Sequence, residues 1–178
     1  LGLALPLVGC VTTTSPVATT KSYSVDSDTY QSTGKSQRIK TIVLHYTVSD
    51  NERSIKTLTT GQVSAHYLIL ETRDDKIYSL VDESERAWHA GDSGFAGRTI
   101  LNDTSVGIEI VNAGIKPEYR NALNNGALDY HPYEHYVAFD ELQIKKVAEL
   151  VQDIAKRYDI PPKNIVGQIV TDLDEVRP

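Results

Sequence analysis

The chain has 178 residues, a length that fits one domain. Apolar residues make up 40% and charged residues 24%, which excludes a wholly disordered chain, a coiled coil and a collagen-like fibre. Lys plus Arg is 18 against Asp plus Glu at 24, giving a net charge of -6 without any long basic run, so nucleic acid is a poor partner.

The chain has no Met, and its first ten residues are apolar or small. They read as the end of a signal-peptide h-region, with the basic segment before it lost. Leu7-Val8-Gly9-Cys10 resembles the bacterial lipobox. The only Cys excludes an internal disulfide framework and sits where lipoprotein processing needs a thiol. The lipobox reading therefore makes Cys10 a lipidation site. Val11, where an Asp would signal retention in the inner membrane, points to the outer membrane facing the periplasm. From Val11 to Gln37 the chain is rich in Ser and Thr and reads as a flexible tether. No apolar stretch is long enough to cross a bilayer as a helix, so the lipid is the expected membrane attachment.

The folded domain is expected from Arg38 onward. Ile39 to His45 is rich in β-branched residues and reads as a buried strand. Ser54 to Thr60 reads as a short helix closed by Gly61. Ser64 to Leu70 is strand-like, and Arg73-Asp74-Asp75-Lys76 makes a turn into a partner strand from Lys76 to Val81. Ser105 to Val111 is a further strand, with Val106, Ile108 and Ile110 on one face and Gly107 and Glu109 on the other. Ile115 to Val137 reads as a loop over a groove. A helix is expected from Asp140 to Tyr158. Asp140 caps it, Gln143 completes a capping box, Phe139 is placed as a staple, and Ile144, Val147, Val151, Ile154 and Tyr158 form an apolar stripe. Pro161-Pro162 stops it, and Asn164 to Gly167 forms a last short strand. The pattern is that of an α/β fold.

Three places carry chemistry. His45 lies at the end of its strand, where it can enter a cleft; by itself such a His is more often structural. Trp88-His89-Ala90-Gly91 sets an aromatic and an imidazole among small residues, which suits a ligand and equally a tight turn. Asn102-Asp103-Thr104 leads into the strand that bears Glu109. A carboxylate there is either turned to solvent or held in a cavity, where beside a metal it can act as a general base.

Taken in order, Arg38 to Thr47, Val63 to Ile69, Trp88 to Gly91 and Asn102 to Glu109 resemble the zinc-dependent N-acetylmuramoyl-L-alanine amidases of the type 2 family. The likeness covers residues 38 to 167, and the lipobox and tether resemble those of lipid-anchored periplasmic members. The resemblance implies a mixed central β-sheet flanked by helices, as in peptidoglycan-recognition folds, and one zinc ion (Zn2+) in an open groove. It implies a hydrolase of the cell wall that cleaves the amide between N-acetylmuramic acid and L-alanine of the stem peptide. His45 matches the family's first zinc ligand and Glu109 its catalytic carboxylate, while Trp88, His89 and Asn102 match positions near the substrate. His66 is expected to be structural, because it lies inside a strand.

The likeness breaks after Gly167. Where the family has its second ligand, a His, this chain has Gln168, and Asp172 and Asp174 do not stand at the spacing of the third. The expected domains are therefore 1–10, the end of a signal peptide; 11–37, the tether; and 38–178, an amidase domain whose C-terminal part is incomplete or divergent. The expected function is a peptidoglycan amidase, inactive in the chain as it stands. The alternative is a non-catalytic peptidoglycan-binding protein of the same fold. The expected partners are peptidoglycan or muropeptides, and the expected state is a monomer.

Overall fold

The structure is a computed structural model that describes residues 23–126 and 133–167. The chain divides into two units, Leu1–Lys35 and Ser36–Pro178. In the first, the described residues 23–35 contain no helix or strand. The Asp26 carboxylate there accepts from the backbone N–H groups of Asp28 and Thr29, each at 2.9 Å. Cys10, the apolar segment before it and the first part of the tether lie outside the described residues.

The second unit is built on β1 (Thr41–Tyr46), α1 (Asn51–Thr60), β2 (Tyr67–Ile69), β3 (Tyr78–Ser79), β4 (Gly94–Phe95), β5 (Arg98–Thr99), β6 (Ser105–Ile110), α2 (Pro117–Asn124), α3 (Glu141–Tyr158) and β7 (Ile165–Gly167). Five strands form one mixed sheet in the order β3-β2-β6-β1-β7, and β4 and β5 form a separate hairpin. β1 runs parallel to both β6 and β7, β2 runs parallel to β6, and β3 closes the edge antiparallel to β2. This is the mixed sheet with flanking helices that the sequence implied.

The central strands are buried on both faces, as parallel strands usually are. Ile42, Val106, Ile108 and Ile110 pack with Ile69 and Ile154 of α3, and Val147, Leu150 and Val151 join them from the same helix. On the other face, Leu58 of α1 packs with Ala65, Leu68, Leu70 and Val111. Val43 meets Ala90 and Leu101. Register then does the placing. β1 and β6 pair Thr41 with Ser105, Val43 with Gly107 and His45 with Glu109. Alternation along each strand puts these six on the face away from α3. That face carries almost all the polar residues of the two strands.

The helix ends follow their chemistry. The Asp50 carboxylate accepts from Arg53 N–H at 2.8 Å and caps α1. The helix therefore starts at Asn51, earlier than Ser54, where it was expected to begin. Gly61 does close it, but in an extended backbone conformation. Its value lies in close approach, since a Cβ there would stand 2.4 Å from the Thr57 carbonyl oxygen. α3 has the expected capping box of Asp140 and Gln143.

The apolar stripe differs from expectation. Ile144 is 56% exposed, whereas Gln143 and Lys146 are buried. Each buried polar end is bonded: Gln143 Nε2 donates to the Val111 carbonyl at 2.8 Å, and Lys146 Nζ to the carbonyls of Asp74 at 3.1 Å and Lys76 at 3.4 Å. The Phe139 ring meets Tyr46 edge-on at 6.4 Å.

Other boundaries also shift. β1 begins at Thr41, and the Lys40 N–H just before it donates to the Thr104 carbonyl at 2.7 Å. β2 and β3 are shorter than expected. The stretch from Ile115 to Val137 is not simply a loop, for it contains α2 and a 3-10 turn at Tyr133–His135. An isolated bridge joins Ile115 to Tyr136.

Candidate active site

The polar face of β1 and β6 gathers His45, Glu109 and Ser105, and two loops bring His66 and His89 to it. His89 comes in on the turn after Trp88. The buried Asn102 Oδ1 holds that turn by accepting from the N–H groups of His89 at 3.1 Å and Ala90 at 2.9 Å. The His89 ring lies across Gly107. A Cβ at that position would stand 2.3 to 2.6 Å from three ring atoms of His89, so the glycine is what admits the imidazole.

His89 Nδ1 is 3.0 Å from His45 Nε2, with the two rings edge-on and 5.1 Å apart. His89 Nε2 is 3.1 Å from Ser105 Oγ, and the Ser105 hydroxyl donates to the Leu101 carbonyl at 2.6 Å. His66 is fully buried beside them, its ring 5.7 Å from that of His89. Its Nδ1 accepts the Gly107 backbone N–H at 3.0 Å. His66 is thus structural, as expected, although it sits just before β2 rather than within it.

Burial dominates the electrostatics. It pushes the Glu109 carboxyl up to about 7. It pushes His89 down to about 3, helped by the neighbouring His45 and His66. His66 is lowered mainly by burial as well. At neutral pH the site holds a neutral His89 ring and a glutamate balanced between taking and giving a proton, the condition for acid–base work.

The residues read from the sequence divide as follows. His45, Glu109 and His89 come together. Trp88 stands next to them in sequence and is 58% exposed. Asn102 contributes as the clamp beneath the His89 turn. Ser105 was not picked out by sequence, although a small hydroxyl among β-branched residues, opposite Thr41, was its signal.

Zinc does not assemble from this set. Among the described residues no three His, Cys, Asp or Glu side chains come together as a metal-holding group. Both nitrogens of His89 are engaged, with His45 and Ser105, and both of His66, with the Gly107 N–H and the Glu85 carbonyl. Gln168, Asp172 and Asp174 lie outside the described residues.

The profile of the Amidase_2 family, N-acetylmuramoyl-L-alanine amidase, matches residues 35–175, and the chain belongs to that family. Among individual relatives, it is 40% identical over 135 residues to the N-acetylmuramoyl-L-alanine amidase AmiD of Escherichia coli, covering 73% of this chain and 45% of that protein. The chain thus spans under half the length of that relative. The crystal structure of AmpDh3 from Pseudomonas aeruginosa in complex with anhydromuramic pentapeptide matches with a TM-score of 0.68 at 39% identity, over 81% of this chain and 56% of that one. The complex of E. coli AmiD with anhydro-N-acetylmuramic acid-L-Ala-D-gamma-Glu-L-Lys matches with a TM-score of 0.68 at 38% identity, over 82% of this chain and 54% of that one.

Proposed function

We propose that the protein hydrolyses the amide between N-acetylmuramic acid and L-alanine of the peptidoglycan stem peptide, with Glu109 as the catalytic acid–base. One observation carries this: Glu109, raised to about 7, stands in register with His45 on the polar face of a chain of this amidase family. In the reaction, Glu109 takes a proton from water as its oxygen attacks the amide carbon. It returns that proton to the departing nitrogen as the C–N bond breaks. A group near 7 does both at neutral pH with little penalty. Muropeptides with an anhydromuramic end are the proposed substrates, by analogy with the ligands of the two relatives.

We propose His45 as the residue of this face that contributes to a zinc site, whose other ligands would lie outside the described residues. The observation that no three-ligand group forms among the described residues favours a second reading, a peptidoglycan-binding protein without catalysis. Incubating the protein with an anhydromuropeptide and zinc, and following free stem peptide by mass spectrometry, separates the two. Peptide release supports the amidase, and binding without release supports the second reading.

We also propose that Cys10 carries a lipid that anchors the protein to the outer membrane on its periplasmic side. The tether-like composition of residues 11–37 supports this. The Cys10→Ser protein should then fractionate with the soluble periplasm, and an unaltered protein found wholly soluble would rule the anchor out.

A further inference from the structure

Among the described residues, four other than glycine have positive φ: Val48 at 48°, Ala96 at 50°, Ile100 at 61° and Asp159 at 52°. Three are explained by their places. Asp159 is the C-cap of α3, and Asp tolerates the left-handed region. Ala96 shares with Gly97 the two-residue turn between Phe95 and Arg98, a turn that takes positive φ at both positions. Ile100 joins that hairpin to the Leu101–Asp103 turn. Its N–H donates to the Ser93 carbonyl at 2.9 Å, and its carbonyl accepts from Asp103 N–H at 3.1 Å. Val48 has no such reason. It is β-branched, the side-chain type that the left-handed region suits least. Burial does not offset the strain, since the residue is 57% exposed. The loop is also pinned on either side of it: Thr47 N–H donates to the Ile110 carbonyl at 3.1 Å and Ser49 N–H to the Asn112 carbonyl at 3.0 Å. Gly or Asn would hold the same backbone with less strain. Stability of the fold therefore gives no reason for a valine here.

Its place gives one. His45 and Glu109 lie one residue before the ends of the parallel strands β1 and β6. Val48 stands two residues beyond the end of β1, in the loop that leads to α1. Its side chain lies against Gly114, four residues beyond the end of β6: a Cβ on Gly114 would be 3.1 Å from Val48 Cγ1 and 3.7 Å from Cγ2. The exposed isopropyl group is thus presented at the carboxyl ends of the two strands that carry His45 and Glu109. Ile100, which precedes β6, is at the opposite end of that strand. Open α/β sheets bind their ligands outside the carboxyl ends of the strands, and strained residues cluster where ligands are held. We infer that Val48 is a specificity-determining residue, whose isopropyl group makes an apolar contact with the muropeptide. That group has neither donor nor acceptor, so what it recognises is a methyl or methylene group of the ligand. The inference rests on the proposed function for the identity of that ligand.

The test sets binding against stability. Binding of anhydro-N-acetylmuramic acid-L-Ala-D-gamma-Glu-L-Lys to the full chain is read by calorimetry with no zinc added, beside the Tm of each variant. Val48→Gly should raise Tm by about 2–4 °C as the strain is relieved. It should also raise Kd about 5–20-fold, as two methyl groups leave the contact. Val48→Thr keeps the β-branch, and with it the strain, but puts a hydroxyl in place of one methyl. It should leave Tm within about 2 °C of the parent and still raise Kd by at least about 3-fold. A merely structural Val48 would not lose binding while stability rises or holds. A lower Tm in Val48→Gly overturns the inference, since Val48 would then serve the fold. An unchanged Kd in either variant overturns it as well, and leaves the amidase reading standing. An unaltered chain that does not bind the muropeptide overturns both. Binding that depends on Val48, with no release of stem peptide once zinc is added, counts against the amidase reading alone.

Discussion

Gly107→Ala adds one methyl group at the most crowded point of the site. The new Cβ would lie 2.3, 2.5 and 2.6 Å from Cγ, Cδ2 and Nδ1 of His89. Unstrained carbon contacts begin at about 3.5 Å, so roughly 1 Å of relief is needed. The backbone cannot supply it easily, because β6 is paired on one side with β1 and on the other with β2. The His89 turn is equally held, by the Asn102 clamp. The imidazole must swing away, and its bonds to His45 and Ser105 go with it. Overpacking costs about 1–3 kcal/mol, and stranding buried polar partners costs about 1–3 kcal/mol more. Gly107→Ala should therefore lose about 2–6 kcal/mol, equivalent to a Tm drop of about 4–24 °C for a chain of this size. Thermal and denaturant unfolding measure this. Adding His89→Ala to Gly107→Ala should recover part of the loss, because the ring is what the methyl strikes. A Gly107→Ala protein within about 0.5 kcal/mol of the parent, or a double variant less stable than the sum of the two losses, would refute the reasoning.

Acid stability should depend on Glu83. Burial pushes its carboxyl up, but hydrogen bonds from Arg157, Tyr158 and Tyr67 outweigh that and bring it from 4.5 to about 2. A carboxyl lowered by folding stabilises fully above 4.5 and loses that contribution as pH falls towards 2. With Arg157 40% exposed and the pair partly screened, the contribution is about 1–2 kcal/mol. Glu83→Gln should lose that amount near neutral pH and flatten the acid limb of the stability curve; an unchanged limb would show that the cluster is not coupled to folding. Asp140→Ala removes the cap of α3 and should cost about 1 kcal/mol in denaturant unfolding, with Asp140→Asn or Asp140→Ser recovering most of it.

How far the sequence reaches depends on what each signal encodes. The strict alternation of β6 gave both its faces, and so placed Glu109 correctly. Asp140 and Gln143 marked the start of α3 because capping is local chemistry within one turn. Ile144 was misplaced because apolar spacing predicts burial without knowing the partner surface. Gln143 and Lys146 took the buried side because main-chain carbonyls of Val111, Asp74 and Lys76 happened to wait there. The strands of the β4–β5 hairpin are two residues each, and α2 is only eight residues long with apolar spacing limited to Tyr119, Ala122 and Leu123, so neither was read from the sequence. In the site, His45 and Glu109 were singled out through the resemblance of their strands to the amidase family, since pattern alone left a structural His45 and a solvent-facing Glu109 open. The use of Ser105 and Asn102 was not, since each depends on a contact with a turn distant in sequence. Gly107 likewise reads as a mere alternation residue until the His89 ring is seen across it.

The most direct measurement of the central claim compares the unaltered protein with Glu109→Gln on an anhydromuropeptide in the presence of zinc, following both binding and release of stem peptide. The account predicts that the two bind the substrate alike, that the unaltered protein releases the peptide, and that Glu109→Gln does so about 10²–10⁴-fold more slowly. Equal rates in the two proteins, or binding with no release from the unaltered one, would contradict it.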